Sequence, residues 1–277
     1  MKKMLSLALV LVLMMSLAAC GAKTETPAAT TAPAAAAETT AAAADTEAPA
    51  AEVKTIEAGK LIMSTNASFP PYEMIADDGS IEGIDVEVAD AIAKKLGLEL
   101  EVDDMDFDAA LLAVQQNKSD IVMAGVTVTD DRKLVMNFTD SYATGVQVVI
   151  VKEGSDVTLD NLGEKMIGTQ RGTTGYIYTS DDYGDDHVTA YDNGASAVQA
   201  LQNGQVDCVV IDAAPAEAYV EANPGLTILD TEYVTENYAI GVNKDNTALL
   251  DAVNGALAEL TADGTLDAII GKYITAE

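Results

Sequence analysis

The feature that most constrains this chain is a pattern it uses twice. Residues 110–122, ALLAVQQNKSDIV, and residues 197–209, AVQALQNGQVDCV, match at a constant offset of 87. Each reads as a short helix that ends in a Gln- and Asn-bearing turn and feeds an apolar strand opened by an Asp. The same offset carries Gly125 onto Asp212, so two candidate site residues stand at matching strand ends. Two similar α/β units with polar groups at corresponding places imply a cleft between them. The neighbouring residues bear on the same reading.

The stretch after the first of these strands does so. Ala124, Gly125, Thr127 and Arg132 follow the β-branched run Ile121-Val122-Met123, and open α/β sheets gather ligands at the carboxyl ends of their strands. Gly125 lets a ligand come close to the backbone, and Thr127 offers a hydroxyl and an N–H. Arg132 carries a planar fork that can grip a carboxylate with two bonds. Taken alone, a strand, a turn and one surface Arg is the simpler account of these residues.

The rest of the body, residues 52–277, alternates short β-branched runs with helical stretches. Strands are expected at Leu61 to Ser64, Glu99 to Val102, Val146 to Val151, Met166 to Thr169, Val206 to Ile211 and Ala239 to Val242. Asp85 to Leu96 reads as a helix, with acids at its start, Lys94 and Lys95 at its end and Gly97 beyond. Such alternation predicts an α/β fold with mostly parallel sheets and helices on both faces. Phe138 to Gly145 and Tyr233 to Ala239 are the expected crossings between units. They divide the body into one lobe of residues 52–142 and 239–277, carrying the last helices, and a second of residues 143–238. Two crossings make a hinge that permits closure.

Charge narrows the partners. The 277 residues contain 15 Lys and Arg against 45 Asp and Glu, a net charge of −30, so nothing is there to neutralise phosphates and nucleic acid is excluded. At the amino terminus, residues 1–20 read as a targeting segment. Lys2 and Lys3 precede an apolar run, Met4 to Ala19, that is too short and wrongly flanked for an ordinary membrane span. Its end, Leu17-Ala18-Ala19-Cys20, resembles a bacterial lipobox, which implies cleavage before Cys20 and lipidation of its thiol. A plain secretory signal with an incidental Cys20 is the alternative, and both direct the chain out of the cytoplasm. Residues 21–51 are mostly Ala, Thr, Pro and Glu without a large apolar residue, the composition of a disordered tether. The remaining thiol, Cys208, then has no partner for a disulfide and is expected in the core.

Taken in order, several stretches resemble the polar amino-acid-binding proteins of ABC importers, extracellular solute-binding protein family 3. They are Thr65 to Glu73 with its Phe69-Pro70-Pro71-Tyr72, Glu82 to Val86, Met123 to Arg132, Asn137 to Tyr142, Gly172 to Gly175 and Val210 to Asp212. The resemblance is collinear from about Gly59 to Tyr273. It implies a two-lobed type II periplasmic-binding-protein fold, two mostly parallel sheets joined by two hinge crossings. It further implies a monomer that closes on one free amino acid and passes it to a permease, without a cofactor or a metal.

The resemblance also assigns roles. Arg132 would clamp the α-carboxylate with N–H groups at Thr127 and Thr174, the latter opening a helix. Asp212 would take the α-ammonium with the Gly125 carbonyl and the Thr127 hydroxyl. Phe69 and Phe107 would sandwich the ligand side chain, although Phe107 could equally be a core aromatic. Ala124 and Thr173 complete the set, and Asn66 and Gln170 would read the side chain's far end. Two amides and two rings describe a neutral polar ligand, glutamine first and cystine or other neutral residues next. The alternative is that Asn66 points away and Glu73 reads the ligand, which would favour lysine, arginine or histidine. An enzyme of the same fold, such as a dehydratase, is the competitor from another class, but the single His187 lies in an acidic stretch with no nucleophile pattern around it.

Overall fold

Apolar, β-branched runs become strands where the sequence predicts them. The computed structural model describes residues 53–230 and 232–274; the signal segment, Cys20 and the tether at 21–51 lie outside them. The chain opens with β1 (Lys60–Thr65) and a small hairpin sheet of β2 (Ser68–Phe69), β3 (Glu73–Ile75) and β4 (Ile81–Glu82). Helix α1 (Ile84–Lys95), β5 (Glu99–Asp104), α2 (Phe107–Gln115), β6 (Ile121–Val122) and α3 (Asp130–Val135) follow. β7 (Met136–Lys152) then runs for 17 residues. Beyond it come β8 (Ile167–Gln170), α4 (Thr174–Tyr183), β9 (Val188–Tyr191), α5 (Gly194–Gln202), β10 (Cys208–Asp212), α6 (Ala213–Ala222) and β11 (Leu226–Ile228). β12 (Val234–Asn243) returns alongside β7, and α7 (Thr247–Ala262) and α8 (Thr265–Tyr273) close the described chain.

The sheets differ from the sequence expectation in one respect. β5, β1 and β6 are parallel, as are β10, β8 and β9, but β7 and β12 pair antiparallel between them from Gln147 opposite Val234 to Met136 opposite Asn243. The strand order is therefore β5-β1-β6-β12-β7-β10-β8-β9 in one curled sheet, not two separate ones. The crossings read at Phe138 to Gly145 and Tyr233 to Ala239 are strands themselves. The physical reason is that two chains passing side by side satisfy each other's buried N–H and C=O groups along their length. Register shifts beside Ala239 mark the only breaks in that pairing.

The repeated segment repeats in detail. α2 and α5 are both nine residues long at the same offset. Each is followed by a left-handed residue, Asn117 at φ 54° and Gly204 at φ 69°. The next N–H turns back onto the helix in both, Lys118 to Ala113 O and Gln205 to Ala200 O. Then comes the Asp: Asp120 accepts the Ile62 N–H of β1 at 2.9 Å, and Asp207 accepts the N–H of Met166, next to β8, at 2.8 Å. Each carboxylate ties the start of its strand to the neighbouring parallel strand.

Both central strands are buried on two faces, which explains their continuous apolar runs. On β10, Val209 and Ile211 pack into the main core with Ala197 and Val198 of α5, while Cys208 and Val210 face a second cluster around Leu162 and Ile167. Cys208 is buried as the sequence predicts, and burial pushes its thiol up to about 12. On the other side Ile121 and Met123 join the main core, while Val122 and Ala124 pack with Phe107 and Leu111 of α2.

Candidate functional site

The ends of these strands meet over one cavity. Asn66, Phe69, Phe107, Ala124, Gly125, Thr127, Arg132, Gln170, Thr173, Thr174 and Asp212 all line it, together with Glu73, around about 320 Å³ of space including its mouth. Every ligand-binding residue predicted from the sequence is thus brought to one place.

Arg132 is held from both halves of the sheet. Thr129 caps α3 by accepting the Arg132 N–H at 3.2 Å, which aims the guanidinium inward. Nη1 donates to the Thr127 carbonyl at 2.7 Å and Nη2 to the Gly172 carbonyl, beyond β8, at 3.1 Å. The Phe107 ring lies 5.4 Å from Cζ, a cation–π contact. Phe107 is therefore both a core aromatic and a cavity wall. Arg132 is only 8% exposed, and burial pulls its pKa below the usual value. Its bonds go to carbonyls and leave further N–H donors for an anion.

Asp212 ends β10 in a complementary position. It is also 8% exposed, and burial, reinforced by the Glu236 charge, pushes its carboxyl up to about 7. The Tyr238 hydroxyl donates to its Oδ1. The Tyr238 ring is met edge-on by Tyr72, which stacks on Phe69. One aromatic series thus runs from the acid to the cavity wall. Gly125 is needed opposite: its φ is +54°, and a Cβ there would sit 2.6 Å from Phe69.

The two amides behave differently from the sequence expectation of free readers. Gln170 donates to Asn66 Oδ1 at 2.9 Å, and Asn66 donates to the Met105 carbonyl at 2.8 Å. Asn66 is committed to protein partners on both sides. Thr173 caps α4 by accepting the Tyr176 N–H at 3.3 Å, and Thr174, the first residue of that helix, lines the cavity beside it.

Three acids lie in or behind the cavity wall besides Asp212: Glu73, which the sequence offers as the alternative reader, and Asp85 and Glu236, which it does not single out. Glu73 is wholly buried, lines the cavity, and neither of its oxygens receives a hydrogen bond. Burial first, and the neighbouring Asp85 charge second, push its pKa well above the carboxylate range. A protonated Glu73 can then donate to Asp85, which accepts the Gly125 N–H at 2.9 Å and the Tyr142 hydroxyl at 2.8 Å, and which burial raises to about 6. Glu236, on β12, accepts from both cavity threonines. Its sequence signal was weak because it falls in a crossing, where no periodicity tells which side chains face inward.

Comparison with known proteins identifies the family. The family model for bacterial extracellular solute-binding proteins, family 3, matches residues 61–276. A probable histidine-binding protein of Neisseria gonorrhoeae is 35% identical over 78% of this chain and 83% of its own length. An ABC transporter arginine-binding protein of Escherichia coli is 32% identical over 78% of this chain and 91% of its own. Among solved structures, an ancestral arginine-binding protein bound to glutamine superimposes with a TM-score of 0.75 at 40% identity, covering 79% of this chain and 99% of that one. The fold is the two-lobed type II periplasmic-binding-protein fold, and the chain belongs to the bacterial extracellular solute-binding proteins of family 3.

Proposed function

We propose that this chain is the substrate-binding component of an amino-acid ABC importer. It takes one free L-amino acid between lobes formed by residues 52–142 with 239–277 and by residues 143–238, and hands it unchanged to a permease. The observation that carries this reading is the pairing of opposite, incompletely satisfied charges around one cavity. Arg132 has guanidinium donors to spare for a carboxylate, and Asp212 has one oxygen beyond the Tyr238 bond for an ammonium. A zwitterion satisfies both at once, and buried charges are stable only when so paired. The Leu17-Ala18-Ala19-Cys20 motif supports a lipid anchor at Cys20, with residues 21–51 as its tether outside the cytoplasm. The working form is a monomer.

The side chain bound is a basic one, of the arginine type. Glu73 supports this, because a buried carboxyl that lines the cavity and accepts nothing is matched by a cation, which would displace its proton. Glutamine is the second reading, favoured by the relative solved with glutamine at 40% identity. Thermal-shift measurements with each of the free amino acids test both. Stabilisation by arginine, lysine or histidine supports the first, stabilisation by glutamine alone supports the second, and none by any amino acid removes the importer reading.

A further inference from the structure

Glu236 comes from β12 between the two halves of the sheet and is 4% exposed. It does not line the cavity, yet its Oε2 meets Thr127 Oγ1 at 3.1 Å, Thr174 Oγ1 at 3.0 Å and Gln147 Nε2 at 2.9 Å. A carboxylate oxygen can only accept, so each hydroxyl gives its single proton to Glu236. A hydroxyl with its proton committed has only lone pairs left for any other partner. Thr127 and Thr174 both line the cavity, one from each half, with their oxygens 3.5 Å apart.

We propose that Glu236 is a positioning residue for amino-acid binding: by taking the protons of Thr127 and Thr174, it turns both hydroxyls into acceptors for the α-ammonium. They then cannot donate to the α-carboxylate, which is left to Arg132 and backbone N–H groups. The polarity of the site is thereby set from behind the cavity wall, and the two ends of the ligand are told apart. The proposal rests on the reading of the ligand as a free amino acid.

A double-mutant cycle tests it. Glu236→Gln keeps the shape, but one end of its amide carries two protons in place of an acceptor, which releases the hydroxyls. It is made in the natural chain and in the Thr127→Val/Thr174→Val background, and dissociation constants for arginine and glutamine are measured by calorimetry. Glu236→Gln should weaken binding about tenfold or more in the natural chain, and at least fivefold less in the valine background, because its effect passes through the hydroxyls. Equal losses in both backgrounds would overturn the proposal and leave Glu236 a structural tie. If the natural chain binds no amino acid, the functional reading fails instead. The same cycle read on the melting temperature without ligand then decides whether carboxylate and hydroxyls act as a unit, and additive shifts would overturn that.

Discussion

Gln170 and Asn66 join across the cleft, amide to amide, at 2.9 Å. Because Asn66 also donates to Met105, its side chain is engaged on both sides, and on the proposed reading discrimination falls to Glu73. Glu73→Gln should therefore weaken the binding of basic amino acids by roughly tenfold or more while changing that of glutamine by less than about threefold. Calorimetric titration of the variant with arginine and with glutamine checks this; equal changes for the two would return the choice to the amide pair.

Arg132 has the buried charge that an α-carboxylate would neutralise. Arg132→Ala should cost about 3 kcal/mol or more of binding, since the ligand's anion would be left without a partner. Near-normal affinity in a direct titration would remove the carboxylate assignment.

Asp212 separates binding from stability. With its carboxyl raised to about 7 by burial, the ionised form is a burden on the unliganded protein. Asp212→Asn keeps an acceptor for Tyr238 and removes that charge. Its melting temperature without ligand at pH 8 should be unchanged or higher, while amino-acid affinity falls by about 2 kcal/mol or more. A large loss of melting temperature would point to a structural role.

The same shift sets a pH dependence. An Asp that titrates near 3.8 in the unfolded chain and near 7 when folded binds more protons in the native state over that window. Asp85, raised to about 6, and Glu73, which burial pushes well above the carboxylate range, act in the same direction. Their contribution to stability is complete below about pH 4 and is lost as pH rises toward 7. An α-ammonium needs the ionised Asp212, so affinity should move the opposite way and strengthen between pH 5 and 8, by at most about tenfold per unit for each proton released. Denaturation and titration series at fixed ionic strength check both signs.

Much of this was legible in the sequence where local patterns carry the information. The offset between Asp120 and Asp207 appears in the structure as two equivalent strand ties, because helix, turn and Asp are all set by near neighbours. The cavity residues were legible because they sit at strand ends and helix starts, from Gly125 to Thr174. What was not legible depends on pairing between distant segments. The fusion of β7 and β12 into one sheet is a register of residues about a hundred apart, and Glu236 is recognisable only once Thr127 and Thr174 are beside it. The bond between Asn66 and Gln170 is of the same kind: each amide is ordinary alone, and only their proximity turns two readers into one closed pair.

On the proposed reading, one free amino acid is bound whole and released unchanged. This is tested most directly by incubating the purified chain with an equimolar mixture of the free amino acids, isolating the complex, and identifying what denaturation releases by mass spectrometry. The expected result is close to one molecule per chain of a single amino acid, unaltered in mass, basic before glutamine, and absent from Arg132→Ala. Release of nothing, or of a chemically altered product, would contradict the account.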